Sequence, residues 1–213
     1  MLHEQLYLIF IFAGLSLLPV FFVLTTSFVK IAMVCIMTRE SLGVQQVPPN
    51  LVLYSLSLIL SFYIMGPIYN NTYKLVMQDF VANKPINPAE LVASFQDTSR
   101  PIKTFLIKHA NDNERIFFRQ NLRRFWGNGA EVKDDDFMIL VPAFVITELT
   151  AAFKIGFLIY LPSVIIDILV SNILMAMGMM MMSPVTISLP IKLLLFISVD
   201  GWSRLIHALL NTY

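Results

Sequence analysis

The stretch that decides the fold is Pro142-Ala-Phe-Val-Ile-Thr-Glu148-Leu-Thr-Ala-Ala152-Phe-Lys154-Ile-Gly156-Phe-Leu-Ile-Tyr-Leu-Pro162-Ser-Val-Ile-Ile-Asp167-Ile-Leu-Val-Ser-Asn-Ile-Leu-Met175-Ala-Met-Gly178-Met-Met-Met-Met182. It holds no polar turn. A single helix of about 40 residues would be roughly 60 Å long at about 1.5 Å per residue, twice the thickness of a bilayer's hydrocarbon core. Either the chain bends sharply near Gly156–Pro162, or its helices do not cross a bilayer in the ordinary way. Charge argues for the second. Each charge near a helix centre costs roughly 2.5–3.5 kcal/mol on insertion, and each large apolar residue returns roughly 0.3–0.6. Glu148 and Lys154 therefore make 142–161 marginal as a lone span. Asp167, Lys192 and Asp200 repeat the problem.

The rest of the 213 residues agrees with a membrane setting. Hydrophobic residues make up 57% and charged residues 14%, against about 25% charged in soluble domains. Residues 74–136 hold 10 Lys/Arg and 9 Asp/Glu, so 19 of the 29 charges fall in that one segment. Too few remain to solvate a soluble surface elsewhere. A net charge of +1 without a basic stripe excludes nucleic acid as a partner. The expected organisation is all-α: an N-terminal apolar hairpin over 1–73, a small polar helical insertion over 74–136, and apolar helices with a Met-rich loop over 137–213.

Residues 5–29 carry no charge and read as a retained membrane segment with a kink at Pro19. Gly43 to Asn50, with Pro48-Pro49, is a break. Residues 51–73 form a second apolar run, kinked at Gly66-Pro67. Lys30 and Arg39 lie in a short loop that the positive-inside rule makes cytoplasmic. In the insertion, Asn87-Pro88-Ala89-Glu90 starts one helix and Ser99–His109 forms another. Residues 112–126 set Ile116, Phe117, Leu122, Phe125 and Trp126 against Arg115, Arg119 and Arg123, a solvated face or a docking surface. The last helix is expected from Pro190 to Leu210, with Asp200 and Arg204 paired at i, i+4. Cys35 reads as a small buried hydrophobe.

No clustered acid, base or nucleophile exists, no metal-ligand spacing and no phosphate loop. No enzyme, cofactor or metal is expected. Two constellations stand out. The first is Met179, Met180, Met181 and Met182. They read as filler, as soft copper ligands, or as a deformable seal in a symmetric ring. Gly178 and Ser183-Pro184 let the backbone leave a helix there. The second is the buried charge pair Asp167 and Lys192, which flank the Met run. If the chain reverses within that run they lie at similar depth and can pair. If it reverses at Pro184 they must pair between subunits. Thr147-xxx-Ala151 and Ala152-xxx-Gly156 allow close helix approach. With Glu148 and Lys154, Ala152 and Gly156 are subunit-contact candidates.

These residues resemble the FliP/SctR family of the type III secretion export apparatus. The likeness rests on Thr26–Lys30, Leu42–Asn50, Val141–Phe144 with Glu148-Leu149, Ala152–Phe157, Leu161-Pro162, Ile166-Asp167, Met177–Pro184, Leu189–Phe196 and Asp200-Gly201-Trp202. The form Ser183–Ser188 and the absence of a cleavable leader are closer to the injectisome branch than to the flagellar one. The resemblance implies helical hairpins winding into a homo-oligomeric cone of five copies, a pentamer, with SctS-type and SctT-type subunits. It implies contact with basal body and inner-rod components. The cone would sit at or above the periplasmic side of the bacterial inner membrane and pass unfolded proteins. It makes the methionines a channel gasket and Asp167 with Lys192 an assembly pair. The alternatives are a flagellar export gate of the same family and a Met-based small-ion or copper transporter.

Overall fold

The computed structural model describes residues 2–44, 46–81, 88–127, 133–179 and 181–213. Met180, Asn87 and part of the insertion lie outside the described residues. Among those described, the fold is all-helical, with eight helices: α1 (Leu2–Thr25), α2 (Phe28–Ser41), α3 (Asn50–Val81), α4 (Pro88–His109), α5 (Asp112–Trp126), α6 (Phe137–Ala176), α7 (Pro184–Ser198) and α8 (Gly201–Leu210). The helix α6 runs unbroken for 40 residues, through Pro142 and Pro162. Of the two outcomes expected for this stretch, the helix is thus not ended near Gly156–Pro162. Two helices, over Asn50–Met77 and Phe137–Ala176, are long and apolar enough to cross a membrane, or up to four spans if two bent helix pairs count as one each.

Four boundaries differ from the sequence reading. The run 5–29 is broken, because α1 ends at Thr25 and α2 begins at Phe28. Local side-chain bonds compete with the helix there: the Thr25 hydroxyl donates to the Phe21 carbonyl at 2.8 Å, and Thr26 Oγ1 accepts from Phe28 N–H at 3.4 Å. Lys30 is consequently helical and buried, with Nζ 3.8 Å from the Tyr213 ring centroid, so it is no loop charge. Ser99–His109 is the second half of α4, which continues through Pro101. The C-terminal helix is two helices. It starts at Pro184, stops at Ser198 and resumes at Gly201 after a 58° bend.

The bend has a local cause. Asp200 sits at φ 51°, ψ 46°, a left-handed conformation that Asp tolerates better than most residues. Asp200 and Arg204 form no ion pair among the described residues. The Arg204 amide instead donates to the Asp200 carbonyl at 3.1 Å. Gly201 is required because a Cβ there would overlap the Phe196 ring. That ring is held edge-on against Trp202, with centroids 5.6 Å apart. Gly201→Ala is expected to destabilise by about 1–3 kcal/mol, the scale of overpacking. Phe196→Leu in the same chain should relieve it. Thermal midpoints in detergent would show this, and an unchanged midpoint for Gly201→Ala alone would mean that the ring is not held.

The chain forms two compact units. One comprises Met1–Val29 and Met65–Glu148. Its buried side chains include Phe105 and Leu106 of α4 and Ile139, Leu140 and Phe144 of α6. Phe105 and Phe144 rings lie 5.6 Å apart. Asn111 caps α5 by accepting from Asn113 N–H at 2.9 Å, and its own amide donates to Thr147 Oγ1 at 3.0 Å. Lys103 bonds Asp135 at 3.0 Å and holds that carboxyl below the usual carboxylate range. The stripe on α5 is partly tied down, with Arg115 on Asp112 at 3.0 Å and Arg119 on Asp134 at 2.8 Å. Ile116, Phe117, Phe125 and Trp126 stay exposed, and α5 buries no residue.

The other unit comprises Lys30–Ile64 and Leu149–Tyr213. Its core is Ile31, Val34 and Cys35 of α2, Leu53 of α3, Ala152 of α6, and Leu205 and Leu209 of α8. Arg39 closes the 42–49 break by donating to the Pro48 carbonyl at 3.1 Å and to Asn50 Oδ1 at 2.5 Å.

Candidate functional site: the methionine turn and its ion pair

The turn between α6 and α7 is made by backbone hydrogen bonds. Gly178 takes φ 75°, which a glycine adopts without steric cost. Its N–H donates to the Met175 carbonyl at 3.0 Å, and Met179 N–H reaches back to the Leu174 carbonyl at 2.9 Å. This pair of bonds is the Schellman closure of a helix. Met182 N–H then donates to the Met179 carbonyl at 3.3 Å. Ser183 takes the N-cap position and Pro184 the first helical one, where its missing N–H costs nothing.

The described methionine side chains on this turn are exposed. Met179 is 44% exposed, Met181 103% and Met182 49%, with Met175 and Met177 exposed as well. Leaving this many large apolar side chains uncovered costs a lone chain in water roughly 1.5–3 kcal/mol for each one that could be buried. Their arrangement suits a surface completed by other molecules.

The reversal at the Met run brings the two predicted charges together. Lys192 Nζ lies 2.6 Å from Asp167 Oδ2. The pair sits 8 to 9 residues from the helix ends at Ala176 and Pro184, about 12–14 Å along the axes. Lys192 is the buried partner, with 7% of its side chain exposed, while Asp167 is 40% exposed. The remaining carboxylate oxygen of Asp167, Oδ1, is buried and accepts no well-formed hydrogen bond among the described residues, with the Ser188 side chain close to the carboxyl. Ser188, one turn before Lys192, is fully buried.

The four subunit-contact candidates separate. Ala152 is fully buried in the core of its own unit. Gly156 is also buried, and a Cβ there would overlap the Met37 thioether. The small-residue spacing thus admits α2 of the same chain against α6. Glu148 is buried, whereas Lys154 points outward among exposed Phe153, Phe157 and Leu158. Sequence reasoning passed over the Asp200–Gly201 break and the recess beside it. The Asp-Gly dipeptide was the available signal.

Fold and site together define a chain that is all-helical among its described residues, with helices long and apolar enough to cross a membrane, a methionine-bearing hairpin and, among the described residues, no group of three or more His, Cys, Asp or Glu that could hold a metal ion. The FliP family profile matches residues 11–209, and the chain belongs to that family, the FliP/SctR family of type III secretion. It is 45% identical over 214 residues to the Yop proteins translocation protein R of Yersinia pestis, covering all of this chain and 98% of the relative. It is 44% identical to the virulence protein YscR of Salmonella typhimurium, over 99% and 97% of the two chains. It is 40% identical to the hypersensitivity response secretion protein HrcR of Ralstonia nicotianae, over 97% and 96%. These relatives are injectisome proteins, and the family's members are structural components of the export apparatus, not enzymes.

Proposed function

We propose that this chain is a pore-forming subunit of the type III secretion export gate. It helps to enclose and seal the channel through which unfolded proteins cross the bacterial inner membrane. The observation that carries the reading is the methionine turn: three described methionines, Met179, Met181 and Met182, stand exposed on a backbone tied at both ends. Around a common axis, such turns from several copies would form a pliable apolar constriction. Methionine is unbranched and polarizable, so it fills irregular gaps and yields without fixed geometry.

In this reading the Asp167–Lys192 bond holds α6 against α7 and so sets where the turn stands. Five copies, with SctS-type and SctT-type subunits, would assemble within the basal body at or above the periplasmic side of the membrane. The divisions 1–73, 74–136 and 137–213 would serve as hairpin, insertion and channel wall. Lys154 and its apolar neighbours would face an adjoining subunit.

Replacing Met179–Met182 together with alanine in the assembled apparatus tests the seal. Leakage of a small ion or dye through the inner membrane should rise well above wild type. Unchanged leakage with secretion intact would sink the assignment.

A further inference from the structure

A recess of about 540 Å³ opens beside the α7–α8 bend, wholly within the second unit. Leu193, Phe196 and Trp202 form one wall, and Leu42 and Val47 the other. Arg39 and Asp200 also line it. The volume falls in the range of small-molecule sites, about 300–1,000 Å³. Its composition is unusual for a membrane-associated chain: a mostly apolar cleft with one cation and one anion that do not pair with each other. The Arg39 bonds to Pro48 and Asn50 both use Nη1. Among the described residues Nη2 and Nε make no recorded bond, and the Asp200 carboxylate has no ion-pair partner. Arg39 is half-buried and Asp200 is exposed, so both charges are open to a ligand that enters the recess.

We propose that this recess binds an aminophospholipid, a lipid carrying a phosphodiester and a primary ammonium. The guanidinium suits a phosphate, which it meets through paired N–H donors. The carboxylate of Asp200 suits the ammonium. The walls suit the start of an acyl chain. An anionic lipid would satisfy Arg39 and leave Asp200 facing a like charge. A lipid with a quaternary ammonium could not donate a hydrogen bond to Asp200. The left-handed backbone at Asp200, the obligate Gly201 and the Phe196–Trp202 contact would then have a further use, because together they fix the acidic group at the mouth of the cleft. The proposal rests on the membrane placement above but is tested separately from it.

Trp202 reports on the site directly. The chain has two tryptophans, so Trp126→Phe leaves Trp202 alone. In this background the full chain is returned to nanodiscs containing a small fraction of brominated phosphatidylethanolamine, phosphatidylglycerol or phosphatidylcholine. The ethanolamine lipid should quench Trp202 with about threefold higher apparent affinity than either competitor, the scale of one partly exposed ion pair. Asp200→Asn keeps a residue that tolerates the left-handed backbone, and it should abolish the preference or turn it toward phosphatidylglycerol. Ile197→Phe, at another lining position, should fill the recess and reduce quenching by all three lipids. Equal quenching by the three headgroups in the parent chain would overturn the proposal, as would an ethanolamine preference that survives Asp200→Asn. No quenching by any lipid would also overturn it and would point to a protein segment as occupant. A chain that fails to enter nanodiscs at all contradicts the membrane placement instead.

Discussion

Asp167→Asn is expected to destabilise the chain more than Lys192→Met, although both break the same bond. The reason is the uneven burial of the pair, 7% exposure for Lys192 against 40% for Asp167. Removing the carboxylate strands a buried ammonium, and breaking a buried pair from one side costs about 3–5 kcal/mol. Because Asp167 is partly exposed, the lower end of that range, about 3 kcal/mol, is expected for Asp167→Asn. Lys192→Met leaves a carboxylate that can still turn to solvent or headgroups, so its cost should be smaller. The double variant Asp167→Asn/Lys192→Met has no stranded charge and should recover most of the loss, a non-additivity expected of residues in contact. Thermal midpoints of the purified chain, measured in one detergent, give all three values. Equal losses from the two single changes, or strict additivity in the double, would show that the pair is not held as described.

Phe144→Ala should cost about 3–5 kcal/mol, the usual loss for a buried phenylalanine replaced by alanine. Phe144 is fully buried, it packs against the Phe105 ring, and Leu106 and Leu140 of the same unit are fully buried too. The site has little freedom to collapse, because α4 and α6 are both long helices and Asn111 N–H is bonded to Thr147 one turn away. Unfolding by denaturing detergent should move to lower concentration, while Phe144→Leu should retain most of the stability. A loss below about 1 kcal/mol would mean that the surrounding side chains close the gap.

Much of the architecture was legible because the chain is so one-sided in composition. The 142–182 stretch held no polar turn, and Gly178 with Ser183-Pro184 marked where the backbone could leave a helix; α6 does end just before them, at Ala176. The sequence left two pairings open to Asp167 and Lys192, and the structure shows them bonded within one chain. A turn inside the Met run puts them at equal depth, and that is the turn observed. The misreadings share a physical origin. Thr25–Ser27, Pro101 and Asp200-Gly201 lie inside apolar or helix-friendly runs. There hydrophobic periodicity carries no information, and the outcome depends on one local conformation. Pro101 passed into α4 because its neighbours kept the helix, whereas Asp200 ended α7 because it took a left-handed conformation. The small-residue motif at Ala152 and Gly156 revealed a close approach but not its partner, which is α2 of the same chain.

The methionine turn is fastened by its Schellman bonds on one side and by the Ser183-Pro184 helix start on the other. In the proposed seal it would work as a brush, not a lid. Whatever passes would bend bristles while the stem stays still. Rotamers of exposed side chains exchange in picoseconds to nanoseconds, against microseconds to milliseconds for collective rearrangements. A closure of this kind would re-form around and behind a moving chain as fast as that chain advances, and would need no separate closing step.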